Sequence, residues 1–288
     1  MKRKPSKRTK PKPPVPLLPV SERADYIVLA STPHTSILLS PEGGKSFLAE
    51  LETHKVVTGE VVTVVSLGKS DRWPILRAKV IGCRIDAAAM GLKPLRLREQ
   101  DTWDPAKEEW FSNEDWAQPI LARGVRTVYA LENVVPTRRK NVICEAVEMY
   151  ASGMAKEASG LMRGLLIKDI RCLDAHAHLG NFTFDDTPEV AIRHYEVGVQ
   201  VGGLSLGSSF DGVLEWSNLD NRPFLRCLHG YGLCLWRMKR MDEAKAAFER
   251  LLWLNPRDNQ GARDCRAAVK AGERWVADLD PLVHIALQ

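Results

Sequence analysis

Two hydrophobic patterns divide the chain. Up to about residue 136 the apolar positions come in short runs rich in β-branched residues. From Arg138 onward they recur at helical spacing in text rich in Ala, Leu, Met and Glu. In the first half, Tyr26–Ala30 and Ser36–Ser40 read as strands split by a turn at Pro33. Val56–Leu67 reads as one long strand, with Gly59 marking a bulge or bend. Trp73–Ile85 gives another strand, and Gly68-Lys69-Ser70-Asp71 between them suits a hairpin turn. Pro94–Arg98 and Val125–Leu131 read as shorter strands. This pattern predicts a small curled sheet or half-open barrel over residues 21–136. Pro136 marks the change to helix.

The second half repeats one layout. Lys156-Glu157-Ala158, Pro188-Glu189-Val190-Ala191 and Asp242-Glu243-Ala244 each open a helix with a small residue. A bulky side chain follows four residues later: Met162, Tyr195, Phe248. Upstream lie further small residues, Ala146, Gly180 and Gly232. Antiparallel helices cross closely only where side chains are small, and a large ring then fills the gap to the next pair. Each pair keeps an apolar face uncovered, so pairs must stack.

On these residues the second half resembles the tetratricopeptide repeat. Leu225–Asp258 follows the family pattern closely, with Gly232, Ala244, Phe248 and Pro256 at signature positions. Residues 139–172 and 173–204 match in part, because Ile170 and Gly203 stand where the closing proline belongs. The resemblance spans about 138–275, with a cap helix over 259–275 and Asp258 as its expected N-cap. With the strand pattern before it, this gives an expected α+β chain: a β-rich N-terminal domain over 21–136, then an all-α solenoid over 137–288. Ala191 and Ala244 lie too far apart for one unit, so an insertion is expected within 202–223, either extending a helix, covering a groove or packing as a loop. The resemblance further implies a concave groove for a protein or peptide partner. Its lining would include Tyr150, Asn181, Arg226, His229, Leu233, Trp236 and Arg237. Two arginines with a tryptophan suit an interaction hot spot. Ile143 and Val147 stand where some family members clamp a C-terminal carboxylate with Lys and Asn, so that mode is not implied.

Charge changes the picture at one end only. Net charge is +5, but residues 1–20 carry Lys2, Arg3, Lys4, Lys7, Arg8, Lys10 and Lys12 and no acid, which leaves the remainder at −2. This stretch reads as a disordered, Pro-rich tail. It is a solubilising arm or, as an alternative function, a cationic arm for nucleic acid. Prolines break the stretch after it, so no signal peptide is expected, nor is any apolar run long enough to span a membrane; the cytoplasm is the expected location.

Candidate chemistry is sparse. Six cysteines occur with no Cys-x-x-Cys spacing, which speaks against a disulfide framework or zinc knuckle. His176 and His178 point to different helix faces, and with His194 they read as packing or surface residues rather than a metal site. Gly43-Gly44-Lys45-Ser46 lacks the first glycine of a phosphate loop, since position 39 is Leu39. Asp185-Asp186 reads as helix capping. The Trp- and acid-rich stretch Glu99–Ala117, with Trp103, Trp110 and Trp116, is either an exposed recognition surface or, for at least two of the rings, core. With no catalytic set, cofactor motif or metal motif to assign, the expected function is a non-enzymatic adaptor or scaffold.

Overall fold

A computed structural model describes residues 20–276 apart from 33, 45, 53–54, 72–74 and 109–114; the basic tail, Trp73 and Trp110 lie outside the described residues. The first strands alternate buried and outward positions, as a half-buried sheet requires. They are β1 (Arg23–Ser31), β2 (Ser36–Leu39), β3 (Phe47–Glu52), β4 (Glu60–Lys69) and β5 (Leu76–Ile85). They close into a barrel of order β1-β2-β3-β5-β4, with β1 returning to β4. All neighbours are antiparallel except β3 and β5, which run parallel with Ala49 opposite Leu76. Val28, Leu38, Ala49, Val62, Val64, Leu76 and Ala78 point inward and form the core. Closure leaves no bare edge.

The sequence reading misses β3, whose FLAELE text has few β-branched residues. It also runs Val56–Leu67 together. Val56 and Val57 precede a turn, and Gly59 sits at that turn with φ +92, not in a bulge. Gly68 and Lys69, expected in a turn, end β4 instead.

The rest of the β-rich region does not belong to the barrel. β6 (Leu97–Trp103) and β7 (Arg126–Leu131) form a separate two-stranded ribbon. Between them come a short 3-10 turn, Pro105–Lys107, and α1 (Gln118–Arg123). Leu95, Trp103, Trp116, Ile120, Val128 and Leu131 share one hydrophobic core with the helices that follow. Region 21–136 therefore divides, by packing, into a barrel and a strap on the helical half. Trp103 and Trp116 are buried, as core packing requires.

After β7 the described residues form seven helices: α2 (Val142–Ala151), α3 (Ala155–Lys168), α4 (Leu173–Thr183), α5 (Pro188–Leu206), α6 (Arg222–Arg237), α7 (Met241–Leu254) and α8 (Ala262–Lys270). They pair as α2/α3, α4/α5 and α6/α7, with α8 closing on α7 and α4 touching α2 and α6. α5 runs on to Leu206, past the expected unit end at 204, and α6 begins at Arg222, before the expected start at 225. The small-and-large rule operates within the pairs. A Cβ built on Gly180 would lie 2.4 Å from the Tyr195 ring, and one on Gly230 equally close to the same ring. Tyr195 thus wedges α5 against both α4 and α6. Asp258 does supply the cap of α8, but from outside: Oδ1 accepts from Ala262 N at 2.6 Å and Oδ2 from Arg263 N at 3.1 Å, while Gly261 occupies the cap position. Asp185 and Asp186 do not cap α5; Thr187 holds that position, with no side-chain cap bond. No helix among the described residues is long and apolar enough to cross a membrane.

Candidate functional site

The expected groove residues separate into two sets. His229, Leu233 and Trp236 are buried, which corrects their expected exposure. The physical reason is α8 and the segment after it. His229 Nε2 meets Cys265 Sγ at 3.8 Å, and Trp236 Nε1 donates to Glu273 O at 2.8 Å with Trp275 edge-on at 5.3 Å. The cap therefore covers the face of α6 that the repeat pattern assigned to a ligand. No partner reaches His229 or Trp236 without displacing it.

The other four lie along a seam between α2, α4 and α6. Tyr150 is 37% exposed and stacks on Phe182, ring centroids 4.1 Å apart, while its hydroxyl donates to Phe182 O at 3.2 Å. Asn181 Oδ1 accepts from the Tyr195 hydroxyl at 2.7 Å. Arg237 donates to Phe184 O at 2.6 Å and Asp185 O at 2.9 Å, which fastens the α4–α5 turn to α6. Arg226 stands 3.7 Å from Asp174 and over the Trp216 ring, 5.4 Å from its centre. Asp174 also accepts from Asn133 Nδ2 at 2.8 Å. Burial raises its carboxyl pKa from the ordinary range, against the opposing pull of Asn133 and Arg226.

The 202–223 insertion supplies what the sequence reading left open. α5 extends to Leu206, and residues 207–221 pack as a loop. Val213 bridges to Val128, and its N–H donates to Thr127 O at 2.9 Å; Leu214 N donates to Leu254 O at 2.7 Å. The loop thereby laces the strap to the helices, and Trp216 comes to rest at the end of the seam. Arg222 also lies over this ring, 5.1 Å from its centre, and its Nε donates to Trp216 O at 2.9 Å. Leu219, 67% exposed, sits one turn before Arg222. The repeat pattern could not place Trp216, Leu219 or Arg222 here, because the insertion falls outside it.

Among the described residues, no three His, Cys, Asp or Glu side chains are grouped to hold a metal. His176 and His194 lie with ring centres 6.0 Å apart, both buried in helix packing. His176 Nε2–H donates to Ile170 O at 2.9 Å. All six cysteines are free thiols; burial pushes Cys172 and Cys265 up to about 12, so neither is a ready nucleophile. Gly43 and Gly44, both with positive φ, follow a turn at Pro41-Glu42 that is closed by Gly43 N donating to Ser40 O at 2.9 Å.

No protein-family profile and no curated protein matches the chain.

Proposed function

We propose that the chain is a non-enzymatic adaptor that acts in the cytoplasm. In this reading α2–α8 are tetratricopeptide-like repeats, and they hold an acidic protein or peptide segment along the seam from Tyr150 to Trp216. One observation carries it: Arg222 and Arg226 both stack on Trp216 beside exposed Leu219. Such a cluster combines a large apolar surface with guanidinium forks already fixed in place, so little side-chain entropy is lost on binding. The fork geometry favours carboxylates. Pairing of hairpins α2/α3, α4/α5 and α6/α7 close to the repeat boundaries, with α8 as cap, supports the family reading. Free cysteines suit a reducing compartment.

The alternative, nucleic-acid association, rests on Lys2, Arg3, Lys4, Lys7, Arg8, Lys10 and Lys12. The outward positions of β2 and β3 (Ile37, Leu39, Leu48, Glu50, Glu52) offer an oligonucleotide no cation. The two readings separate in one experiment. The full chain captures its partner from native lysate with and without nuclease, beside Trp216→Ala with Leu219→Asp and a variant lacking residues 1–20. A discrete protein that survives nuclease and is lost with the double substitution supports the seam. Capture that collapses with nuclease, or with removal of 1–20 alone, moves the function to the arm.

A further inference from the structure

One cavity shares no residue with the seam. Where the barrel meets α3, α4 and α5 there is a cleft of about 370 Å3, within the range of small-molecule sites. Its wall is apolar at Leu51, Val56, Leu179 and Val190. Its charged and titratable side chains are Arg163 from α3, His194 from α5, and Lys55 and His34 from the barrel; among the described residues no Asp or Glu lines it. We propose that this cleft binds a small organic anion. A phosphate or carboxylate head would lie between Arg163 and His194, and an apolar body against Leu51, Val56 and Leu179.

Two side chains point the same way. Arg163 is half-buried and makes no hydrogen bond or ion pair with any described residue. Burial lowers its guanidinium pKa, and no carboxylate among the described residues offsets this. A cation in that position gains most from an anion entering beside it, since the Coulomb attraction is poorly screened there. His194 is 5% exposed, and its Nδ1 has no hydrogen-bond partner. Burial, then the positive charge of neighbours, holds the ring neutral at pH 7. A neutral ring on the cleft wall can offer an N–H to an anion without adding a buried charge. Thr187 and Val190 place the start of α5 on the same wall, beside Leu179 and Thr183 at the end of α4. The apolar wall excludes a bare inorganic ion as the best fit and favours a head with a hydrocarbon body.

Isothermal titration of the full chain with octyl phosphate, octanoate and octanol tests the proposal. The expected result is saturable one-site binding of at least one of the anions, with octanol at least about tenfold weaker. The better anion names the head group. Arg163→Gln should weaken binding at least about tenfold, and Lys55→Gln, at an exposed position, about twofold. Lys245→Gln on α7, outside the cleft, should change nothing. The ring-nitrogen resonances of His194, followed by nitrogen NMR, should shift on saturation. If Arg163→Gln fails to fold, Lys55→Gln and the His194 signal decide. Equal binding of octanol and the anions overturns the proposal, as does wild-type affinity in the cleft variants with an unmoved His194 resonance.

Discussion

At the scale of single residues, glycine has two opposite uses in the helical half. Gly230 lies on α6 under the Tyr195 ring, where a Cβ would come within 2.4 Å. Tyr195 is fully buried and tied to Asn181, so the ring has nowhere to go. Gly230→Ala should therefore destabilise the protein by about 1–3 kcal/mol, the usual cost of overpacking. Gly160, exposed on α3, has nothing within 4 Å of the same built atom. Gly160→Ala should stabilise by about 0.5–1 kcal/mol, because alanine loses less backbone freedom in a helix. Urea midpoints of the two variants check both signs at once; a Gly230→Ala protein as stable as wild type would show that Tyr195 is not a wedge. The sequence made much of this readable. Gly180 and Tyr195 stand out by spacing, as do Gly232 and Phe248. Gly230 does not, because it touches a ring from the preceding pair and carries no repeat signature.

At the scale of elements, the strap is where sequence reading and structure part most. The short strand Arg126–Leu131 is legible from its β-branched text, but its neighbours are not. Pairing with β6 and docking on α6 and α7 depend on contacts far apart in sequence. Arg126 shows the kind of contact involved. Its guanidinium is sandwiched between Trp103 at 5.2 Å and Trp253 at 4.5 Å, and NH1 donates to Trp253 O at 2.8 Å. Burial lowers its pKa to about 10, still fully charged at pH 7. Asn221 is the second fastening. It is fully buried, its Oδ1 accepts from Leu131 N at 2.8 Å, and its Nδ2 donates to Tyr129 O and Glu215 O at 3.0 Å each. Replacing it by Leu keeps the volume but strands one buried N–H and two carbonyls. At about 1–3 kcal/mol for each unsatisfied group, Asn221→Leu should cost several kcal/mol. Hydrogen exchange at the Leu131 amide locates the loss: it should accelerate strongly in the variant, whereas barrel amides such as Val62 should not. Uniform acceleration across both would mean that Asn221 supports the whole fold and not the strap.

At the scale of the molecule, barrel and helices are joined by a buried ion pair and should differ in their response to acid. Glu60, 1% exposed, accepts from Arg193 NH1 at 2.7 Å and from Val57 N at 2.7 Å, and Gly59 beside it faces Val197 of α5. That junction was invisible in the sequence, since neither residue carries a motif. Each body nonetheless has its own core. Among the described residues the buried histidines lie in the helices: His176, His178, His194 and His229. Burial lowers His176 and His178 to about 4 and His229 to about 3, and places His194 well below its ordinary value. Unfolded histidines titrate near 6.5, so below that pH the unfolded state binds more protons than the folded one. The stabilisation is complete above pH 6.5 and declines as pH falls toward 4. By pH 5, His176 and His178 each withdraw about 2 kcal/mol. Asp174, Glu196 and Asp258, whose carboxyl pKa values burial raises, act in the opposite sense and offset part of the loss. The helical half should accordingly weaken by several kcal/mol between pH 7 and pH 5 while the barrel changes little. Urea unfolding at the two pH values, with Trp fluorescence for the helical core and amide exchange at Val28 and Val62 for the barrel, reads the halves separately. Asn at position 176 in place of His176 should flatten the pH dependence of the helical transition without moving that of the barrel. Parallel loss in both halves would instead mean that the Glu60–Arg193 junction makes them a single cooperative unit, and the acid response would then belong to the interface and not to the histidines.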